Sequence, residues 1–250
     1  MLENMLKTTL FGSVCLTAIA LIAPEAAHAN GTKEGAPGEG CQWYVSMFGG
    51  LSVPEKAKSR FVYTTAGATP YTSTKKHKDG FIVGLAAGTC VFTDSVRGEL
   101  EFAFNNLPGR SINNTNPVFG AFGGGLNGSF DSYTILGNLW YDFYTNTDFT
   151  PFIGGGVGVG VVDSSLRVTG GIPGVFDDAG VGLAFQAGAG FKYDVAANID
   201  LELSYRFRGI VDFDLSQTNR VVAPFWGKLR GVDLFTHTVM GGITFKFDGL

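Results

Sequence analysis

Apolar and polar residues alternate along most of the chain beyond residue 40, which is the period of a β-strand rather than a helix. The stretch NIDLELSYRFRGI, residues 198–210, shows it most clearly. One face carries Ile199, Leu201, Leu203, Tyr205 and Phe207, and the other carries Asp200, Glu202, Ser204, Arg206 and Arg208. The same alternation recurs in VRGELEFAF, DSYTILGNLWYDFY and VGLAFQAGAGFKY. The pattern predicts strands with one apolar and one more polar face.

Eight such strands are predicted, at residues 41–51, 80–92, 96–105, 131–144, 151–162, 180–193, 198–210 and 233–247. Three short turns, 93–95, 145–150 and 194–197, alternate with four long loops, 52–79, 106–130, 163–179 and 211–232. Barrels that cross an outer membrane have short periplasmic turns and long outer loops. We therefore predict an all-β fold over residues 41–250, an eight-stranded antiparallel up-and-down transmembrane β-barrel with four long outer loops.

A water-soluble eight-stranded barrel would reverse the faces, with apolar residues inside and charges outside. Periodicity alone does not say which face points inward. The high apolar fraction, the aromatic residues at strand ends and the N-terminus favour the membrane form. Residues 1–29 combine Lys7, a short apolar run and the small residues of AAHA, and this predicts a signal peptide cleaved after Ala29. Residues 30–40, NGTKEGAPGEG, are predicted to be a flexible leader.

Glycine is concentrated in TPFIGGGVGVGVV, residues 150–162. Its even positions from 154 to 160 are all glycine, whereas Ile153, Val157 and Val159 occupy the other face. An eight-stranded barrel has internal room only for its own side chains. If Arg206 and Arg208 point inward, a glycine wall supplies the space that they need. The separate GGGLNG stretch, residues 123–128, precedes a strand pattern rather than a helix, so it is predicted to be a surface loop and not a phosphate-binding loop.

Charge is scarce in this chain. Charged residues make up 16% of the sequence and the net charge is −4, against roughly 25% charged residues in typical soluble proteins. This balance gives no indication of nucleic-acid binding. The polar residues expected inside the barrel are Arg97, Glu99, Glu101, Asp142, Gln186, Lys192, Asp200, Glu202, Arg206, Arg208 and Lys246. Both signs are present, so they form either a paired network that fills the lumen or the lining of a narrow ion path.

The first long loop is basic. Its cationic residues are Lys56, Lys58, Arg60, Lys75, Lys76 and Lys78. Such a patch is a candidate contact surface for lipopolysaccharide phosphates or for acidic polymers of a host or environment. A solvated run of charge without a partner is the alternative.

Several stretches together resemble the small outer-membrane β-barrel surface proteins of Gram-negative bacteria, the group of the outer-membrane protein A transmembrane barrel and the opacity-type surface antigens. They are CQWYVSMFGG, LGNLWYDF, TPFIGGGVGVG, FQAGAGFKY and DLELSYRFRGI. The resemblance implies a monomeric barrel in the cell outer membrane, with lipid and lipopolysaccharide around it. The family usually ends its last strand on a C-terminal aromatic residue that the barrel-assembly machinery reads, whereas here Phe247 is followed by DGL. No peptidoglycan-binding segment follows the barrel pattern, so a wall-tethering role is not expected.

Cys41 and Cys90 are the cysteines expected in the mature chain, since Cys15 lies in the signal peptide. If the first loop joins residues 51 and 80 directly, Trp43 lies opposite Gly88, and Cys41 lies opposite Cys90. In that register Trp43, Val45 and Met47 face the lumen, and Tyr44, Ser46 and Phe48 face lipid. Residues directly opposite in a strand pair are within disulfide range, so we predict a disulfide at the periplasmic end of the first hairpin.

Catalytic chemistry is not indicated. Barrel enzymes that trim lipid A use a Ser–His pair with an acid, and His237 is flanked by threonines without an H-x-S pattern. No cluster has metal-ligand spacing, and no cofactor is expected. Three hypotheses remain: a non-enzymatic surface protein that acts through its outer loops, a small diffusion channel, and, less favoured, a lipid-modifying enzyme.

Overall fold

Antiparallel strands account for nearly all of the described chain. The computed structural model describes residues 42–63, 70–116, 120–145, 147–169, 175–216 and 227–247. The strands are β1 Trp43–Pro54, β2 Ala57–Tyr63, β3 Tyr71–His77, β4 Gly80–Val91, β5 Thr93–Asn116, β6 Gly120–Asn127, β7 Ser129–Asp142, β8 Phe149–Thr169, β9 Val175–Ala196, β10 Ile199–Ser216 and β11 Gly227–Phe247. Within the described ranges, no helix is long and apolar enough to span a membrane. The predicted signal peptide and leader lie outside these residues.

Eight of the strands close into a ring in the order β1, β4, β5, β7, β8, β9, β10, β11 and back to β1. The closing pair runs from Trp43 opposite Phe247 to Pro54 opposite Thr236. Every pairing is antiparallel, so the predicted eight-stranded up-and-down barrel is confirmed. The predicted short connections are present, but residues 93–95 belong to β5, and the turn between β4 and β5 contains only Phe92, with φ of 65°.

The outward wall carries two aromatic belts that bound an apolar band. The belt at the short-turn end contains Trp43, Tyr141, Phe143, Phe149 and Tyr193, and the belt at the other end contains Phe81, Phe104, Tyr133, Phe185, Phe207 and Phe235. Among the described outward positions between them, none is Asp, Glu, Lys or Arg. Aromatic girdles around an apolar band are the signature of a transmembrane barrel.

The predicted faces are correct on β10 and wrong on β1. Leu201 and Leu203 of β10 point outward and are 46% and 45% exposed. On β1, Tyr44, Ser46 and Phe48 face the lumen instead of lipid, and Trp43 and Met47 face outward.

The cause is a register one residue away from the predicted one, which places Tyr44 rather than Trp43 opposite Gly88. A one-residue slip turns every side chain of a strand to the other face. The observed register is favoured because Tyr44 lies over Gly88 and Phe48 over Gly84, where a Cβ atom would collide with their rings.

The predicted outer loops contain further strands. The first long loop forms β2 and β3, and the second contains β6, including the GGGLNG stretch predicted to be a loop. These short strands pair with the outer halves of the long strands and close a second ring: β2, β3, β5, β6, β8, β9, β10 and β11. The barrel wall therefore continues well beyond the membrane band as β-structure.

Candidate functional site

The lumen at membrane height is filled by the polar residues that the sequence predicts to point inward. Each of them is buried or half-buried: Arg97, Glu99, Glu101, Asp142, Gln186, Lys192, Asp200, Glu202, Arg206, Arg208 and Lys246. They come from β5, β7, β9, β10 and β11, so the network links most of the ring. Strand alternation explains their common orientation, because residues two apart point to the same face.

Glu101 is the centre of the network and has no exposed surface. Its Oε2 accepts hydrogen bonds from Arg206 Nη1 at 2.6 Å and Gln186 Nε2 at 2.9 Å, and its Oε1 accepts one from Arg208 Nη1 at 2.7 Å. Asn138 Nδ2 donates to the same carboxylate at 3.1 Å. One carboxylate thus holds two arginines from β10, which accounts for its burial.

A second cluster lies nearer the short-turn end. Asp142 accepts two hydrogen bonds from Arg97, at 2.7 and 3.0 Å, and one from Lys192 at 2.8 Å. Tyr44 donates to Glu99 at 3.0 Å and accepts from Arg97 at 3.1 Å. A further ion pair joins Lys246 Nζ to Asp200 Oδ1 at 2.8 Å. Charges of both signs are thus paired along the lumen.

Sequence reasoning missed part of this network. Trp140 Nε1 donates to Glu99 at 3.1 Å, Asn138 contacts both Glu99 and Glu101, and Arg208 Nη2 donates to Thr134 at 3.0 Å. Thr134, Asn138 and Trp140 share the face of Asp142, so alternation on β7 could have identified them.

Glycines make the space for these side chains. Gly188 lies beneath Arg206, and a Cβ atom added there would be 2.8 Å from Arg206 Cγ. A Cβ atom at Gly154 would be 2.7 Å from the Trp140 ring. The predicted role of the glycines, to leave space for an inward arginine, is confirmed at Gly188 of β9, whereas Gly154 of β8 leaves space for Trp140.

Beyond the charge network, the outer part of the barrel encloses an apolar core. Its members are Phe61, Leu107, Ile112, Leu126, Phe130, Leu136, Val162, Leu166, Ala184, Ile210, Phe213, Leu215, Leu229, Val232 and Leu234. Most come from residues that were predicted to be loops. The lumen therefore has two successive fillings, a polar one inside the membrane and an apolar one outside it.

Two basic side chains point into this outer interior. Lys75 is fully buried and its Nζ donates to Ser59 Oγ at 3.1 Å. Burial lowers its pKa from 10.5 to about 7. His77 packs against Phe130, with ring centroids 4.7 Å apart. Burial, assisted by the charge of Lys75, lowers the pKa of His77 from 6.5 to about 4.

The predicted basic patch is corrected by this finding, because Lys75 cannot contact an external partner. Alternation on β3 sends Ser73, Lys75 and His77 inward. Of the other predicted members, Lys56, Lys58, Arg60 and Lys78 are exposed and Lys76 is half-buried. The outward face gains Arg230 from β11, which the sequence did not connect with this loop.

A separate cluster lies on the outward wall at the outer aromatic belt. A hydrogen bond of 2.6 Å joins Tyr205 Oη to His237 Nδ1, and His237 Nε2 lies 3.1 Å from Glu55 Oε1. All three side chains are partly exposed. No sequence pattern pointed to Glu55, which follows β1 and reaches His237 only through the pairing of β1 with β11.

Cys90 is disulfide-bonded in the structure. Cys41 lies outside the described residues, so its pairing with Cys90 stays a prediction. The register from which we inferred that pairing is wrong by one residue, because Tyr44 and not Trp43 lies opposite Gly88. Among the described residues, no group of three His, Cys, Asp and Glu side chains is arranged to hold a metal ion.

Comparison with known proteins identifies related sequences. Residues 44–223 match the family model of the outer membrane protein beta-barrel domain. The chain is 36% identical over 117 residues to outer membrane protein PagN of Salmonella typhimurium, covering 46% of this chain and 49% of that protein. It is 28% identical over 147 residues to opacity protein opA50 of Neisseria gonorrhoeae, covering 48% of this chain and 55% of that protein. The chain thus matches about half the length of these curated relatives.

Among solved structures, the outer membrane protein OprG from Pseudomonas aeruginosa superimposes with a TM-score of 0.51 at 17% identity. The match covers 81% of this chain and 95% of that chain. At this identity the likeness concerns the fold alone.

Proposed function

This chain belongs to the outer membrane protein β-barrel family, and we propose that it acts there as a non-enzymatic surface-interaction protein whose lumen is closed to solutes. The observation that carries the proposal is the double filling of the lumen. Glu101 binds Arg206 and Arg208 at membrane height, and an apolar core centred on Phe130 and Phe213 follows beyond it. A path for ions would have to cross both.

The energetics support a plug over an ion path. Buried ion pairs that lose one partner leave an uncompensated charge, so the network resists opening by small displacements. The apolar core adds a second barrier, because an ion entering it would lose hydration against mostly apolar side chains. The diffusion-channel hypothesis requires both fillings to move.

Conductance in planar lipid bilayers tests this proposal. The full mature chain, folded in detergent and checked for heat-modifiable migration on a gel, is inserted into the bilayer. We expect no stable single-channel step. A reproducible step of fixed size would overturn the closed-lumen proposal in favour of the channel.

The interaction surface that we propose is the outward face of the second ring of strands, which we call the outer β-wall. The strands of the second ring hold its side chains at fixed spacings, as loops would not. Lys56, Lys58, Arg60 and Lys78 are exposed on or beside this wall. We propose anionic surface polymers as its partners, with lipopolysaccharide and acidic polymers of a host as the two sources. Outer-membrane lipid surrounds the apolar band between the two aromatic belts.

A second candidate function, lipid modification, is favoured by one observation, the chain of hydrogen bonds from Tyr205 through His237 to Glu55. An imidazole held between a carboxylate and a hydroxyl is the arrangement of a general base, and it lies at the membrane boundary. Mass spectrometry of lipid A from cells with the wild-type chain, with His237→Gln and without the chain decides between the two. We expect identical spectra. A mass change that depends on His237 would favour the enzyme.

A further inference from the structure

Two arginines face each other on the outer wall without an intervening acid. Arg230 of β11 lies directly opposite Arg60 of β2, and both side chains are exposed on the outward face. Their neighbours Leu229 and Phe61 point inward and are buried, which fixes the outward direction of the arginines. Like charges directly opposite in a strand pair are destabilising. A bound anion between them would remove that repulsion.

The cross-strand row continues with hydroxyl groups. Thr72 of β3 lies opposite Arg60, and Thr115 of β5 lies opposite Thr72. Lys58 lies two residues from Arg60 on the same outward face. Together these side chains line an open groove of about 580 Å³, whose remaining lining residues are Ser59, Pro70, Gly231 and Asp233. Three cations and a row of hydroxyl donors suit an oxyanion rather than a neutral ligand.

The three cations of the groove are only partly balanced by nearby acids, which are Asp233 in the lining and Asp214, whose Oδ1 accepts a hydrogen bond from the backbone N–H of Gly231. Within the described part of the chain, no ion pair is formed by Lys58, Arg60 or Arg230, whereas the lumenal arginines are all paired. The one acid in the lining, Asp233, uses Oδ1 to accept a hydrogen bond from the backbone N–H of Asp212 at 3.2 Å. The groove therefore presents a net positive site to the outside.

The height of the groove indicates what surrounds it. His237 and Phe235 of β11 mark the outer aromatic belt, and Arg230 lies further along the same strand. At about 3.3 Å per residue on a strand tilted by about 40°, Arg230 stands roughly 17 Å beyond His237. Its exposed basic side chains lie on the outward face of the wall. A barrel in an outer membrane meets the sugar–phosphate layer of neighbouring lipopolysaccharide at this height.

We propose that this groove binds phosphate groups of the lipopolysaccharide core that surrounds the barrel, with Arg60 and Arg230 clamping one phosphate between them. Arginine guanidinium groups match phosphate oxygens in a two-point geometry, and Lys58 adds a third charge. Thr72 and Thr115 extend the row with hydroxyl donors. The assignment rests on the proposed function only in placing the second ring outside the cell, and it does not depend on whether the lumen conducts.

The test compares binding of two probes to the full mature chain folded in detergent. They are purified rough lipopolysaccharide with its core phosphates and the same material after chemical dephosphorylation. The wild-type chain is compared with Arg60→Gln/Arg230→Gln. The matched control is Arg167→Gln, an exposed outward arginine of β8 that does not line the groove. All three must show heat-modifiable migration.

We expect the wild type and Arg167→Gln to prefer the phosphorylated probe by about tenfold, and the double variant to lose that preference, since both charge-assisted contacts are removed. A double variant that keeps the preference, or a wild type that does not distinguish the probes, would overturn the site. The bilayer measurement is unaffected by either outcome, so failure of the site and failure of the closed-lumen proposal are separable.

Thermal unfolding gives a second readout that a merely structural role would not produce. Without lipopolysaccharide, Arg60→Gln removes a repulsion and should unfold at the same temperature as the wild type or a higher one. With the phosphorylated lipopolysaccharide present, the wild type should unfold at a higher temperature than Arg60→Gln. Only the wild type keeps both arginines that contact the phosphate, and a bound ligand stabilises the folded state. A variant that is less stable than the wild type by the same margin in both conditions would contradict the proposal.

Discussion

Arg97 and Asp142 form a two-point ion pair inside the barrel, with Nε 2.7 Å from Oδ2 and Nη2 3.0 Å from Oδ1. Asp142 is buried and also binds Lys192, so a single carboxylate of β7 pairs with cations from β5 and β9. The pair joins β5 to its neighbour β7, and Lys192 extends the contact to β9, which does not pair with β7.

Asp142→Asn should therefore destabilise the folded barrel by about 3–5 kcal/mol, because it removes the buried carboxylate that Arg97 and Lys192 share. Denaturant unfolding in detergent, followed by gel migration, measures the change. Asp148→Asn is the matched control, since that side chain is exposed in the turn before β8. Equal stability of the two variants would contradict the structural role of the pair.

The glycine wall of β8 predicts a contrast between two glycines. A Cβ atom at Gly156, which faces the lumen, would collide with Asn138 Oδ1, whereas one at the outward Gly137 has only Val157 O nearby, at 3.9 Å. Gly156→Ala should cost about 1–3 kcal/mol through overpacking, and Gly137→Ala should cost little. The unfolding experiment above measures both. If Gly137→Ala lowers the free energy of unfolding as much as Gly156→Ala does, glycine is required at both positions for its backbone freedom and not for space in the lumen.

The lipid-facing side of β10 gives a third prediction. Leu203→Arg places a charge in the apolar band and should cost roughly 2–4 kcal/mol if it lies near the membrane centre. Leu203→Tyr keeps an apolar body there and is the matched control. Recovery of folded protein from liposomes measures insertion, and equal recovery of both variants would contradict the face assignment. Ser204 is not a suitable control because it is buried in the lumen, where Cβ of Ser204 approaches Gly190.

The outer apolar core should weaken in acid through His77. Its pKa falls to about 4 in the folded state against 6.5 in the unfolded state, so the unfolded state binds more protons between these values. Stability that is present above pH 6.5 is therefore lost as the pH falls towards 4, by at most about 3 kcal/mol.

Denaturant unfolding at pH 7 and pH 4.5 tests this loss. His77→Phe removes the titrating group and should show a smaller decrease than the wild type. His237→Gln, which changes a partly exposed histidine outside the apolar core, is the matched control. A decrease of the same size in all three chains would assign the acid sensitivity to other groups.

The disulfide of Cys90 leads to the last prediction. If its partner is Cys41, the unfolded and unreduced mature chain should contain no free thiol, and Cys90→Ser should contain one. Thiol titration counts them. The bridge would close a long loop, which is worth about 3–4 kcal/mol by loop-closure entropy. Two free thiols in the wild-type mature chain would rule it out.

The sequence by itself determined the barrel, because alternation is a local property. A polar residue such as Asp200 next to an apolar one such as Leu201 already defines two faces, and only one arrangement satisfies them in a membrane. The same local rule identified the inward charges from Arg97 to Lys246. It also predicted that glycine would face the arginines, since their volume had to be accommodated within a narrow ring.

Only the tertiary structure decided which residues meet. Register depends on how two distant strands fit, so the positions of Tyr44 and Gly88 could not be read from either strand alone. The inward turn of Lys75 depends on pairings of β3 with β2 and β5, and a basic loop residue looks the same in sequence whether it points in or out. Arg60 and Arg230 come together only when β2 joins β11, because strand pairing brings together residues from opposite ends of the chain.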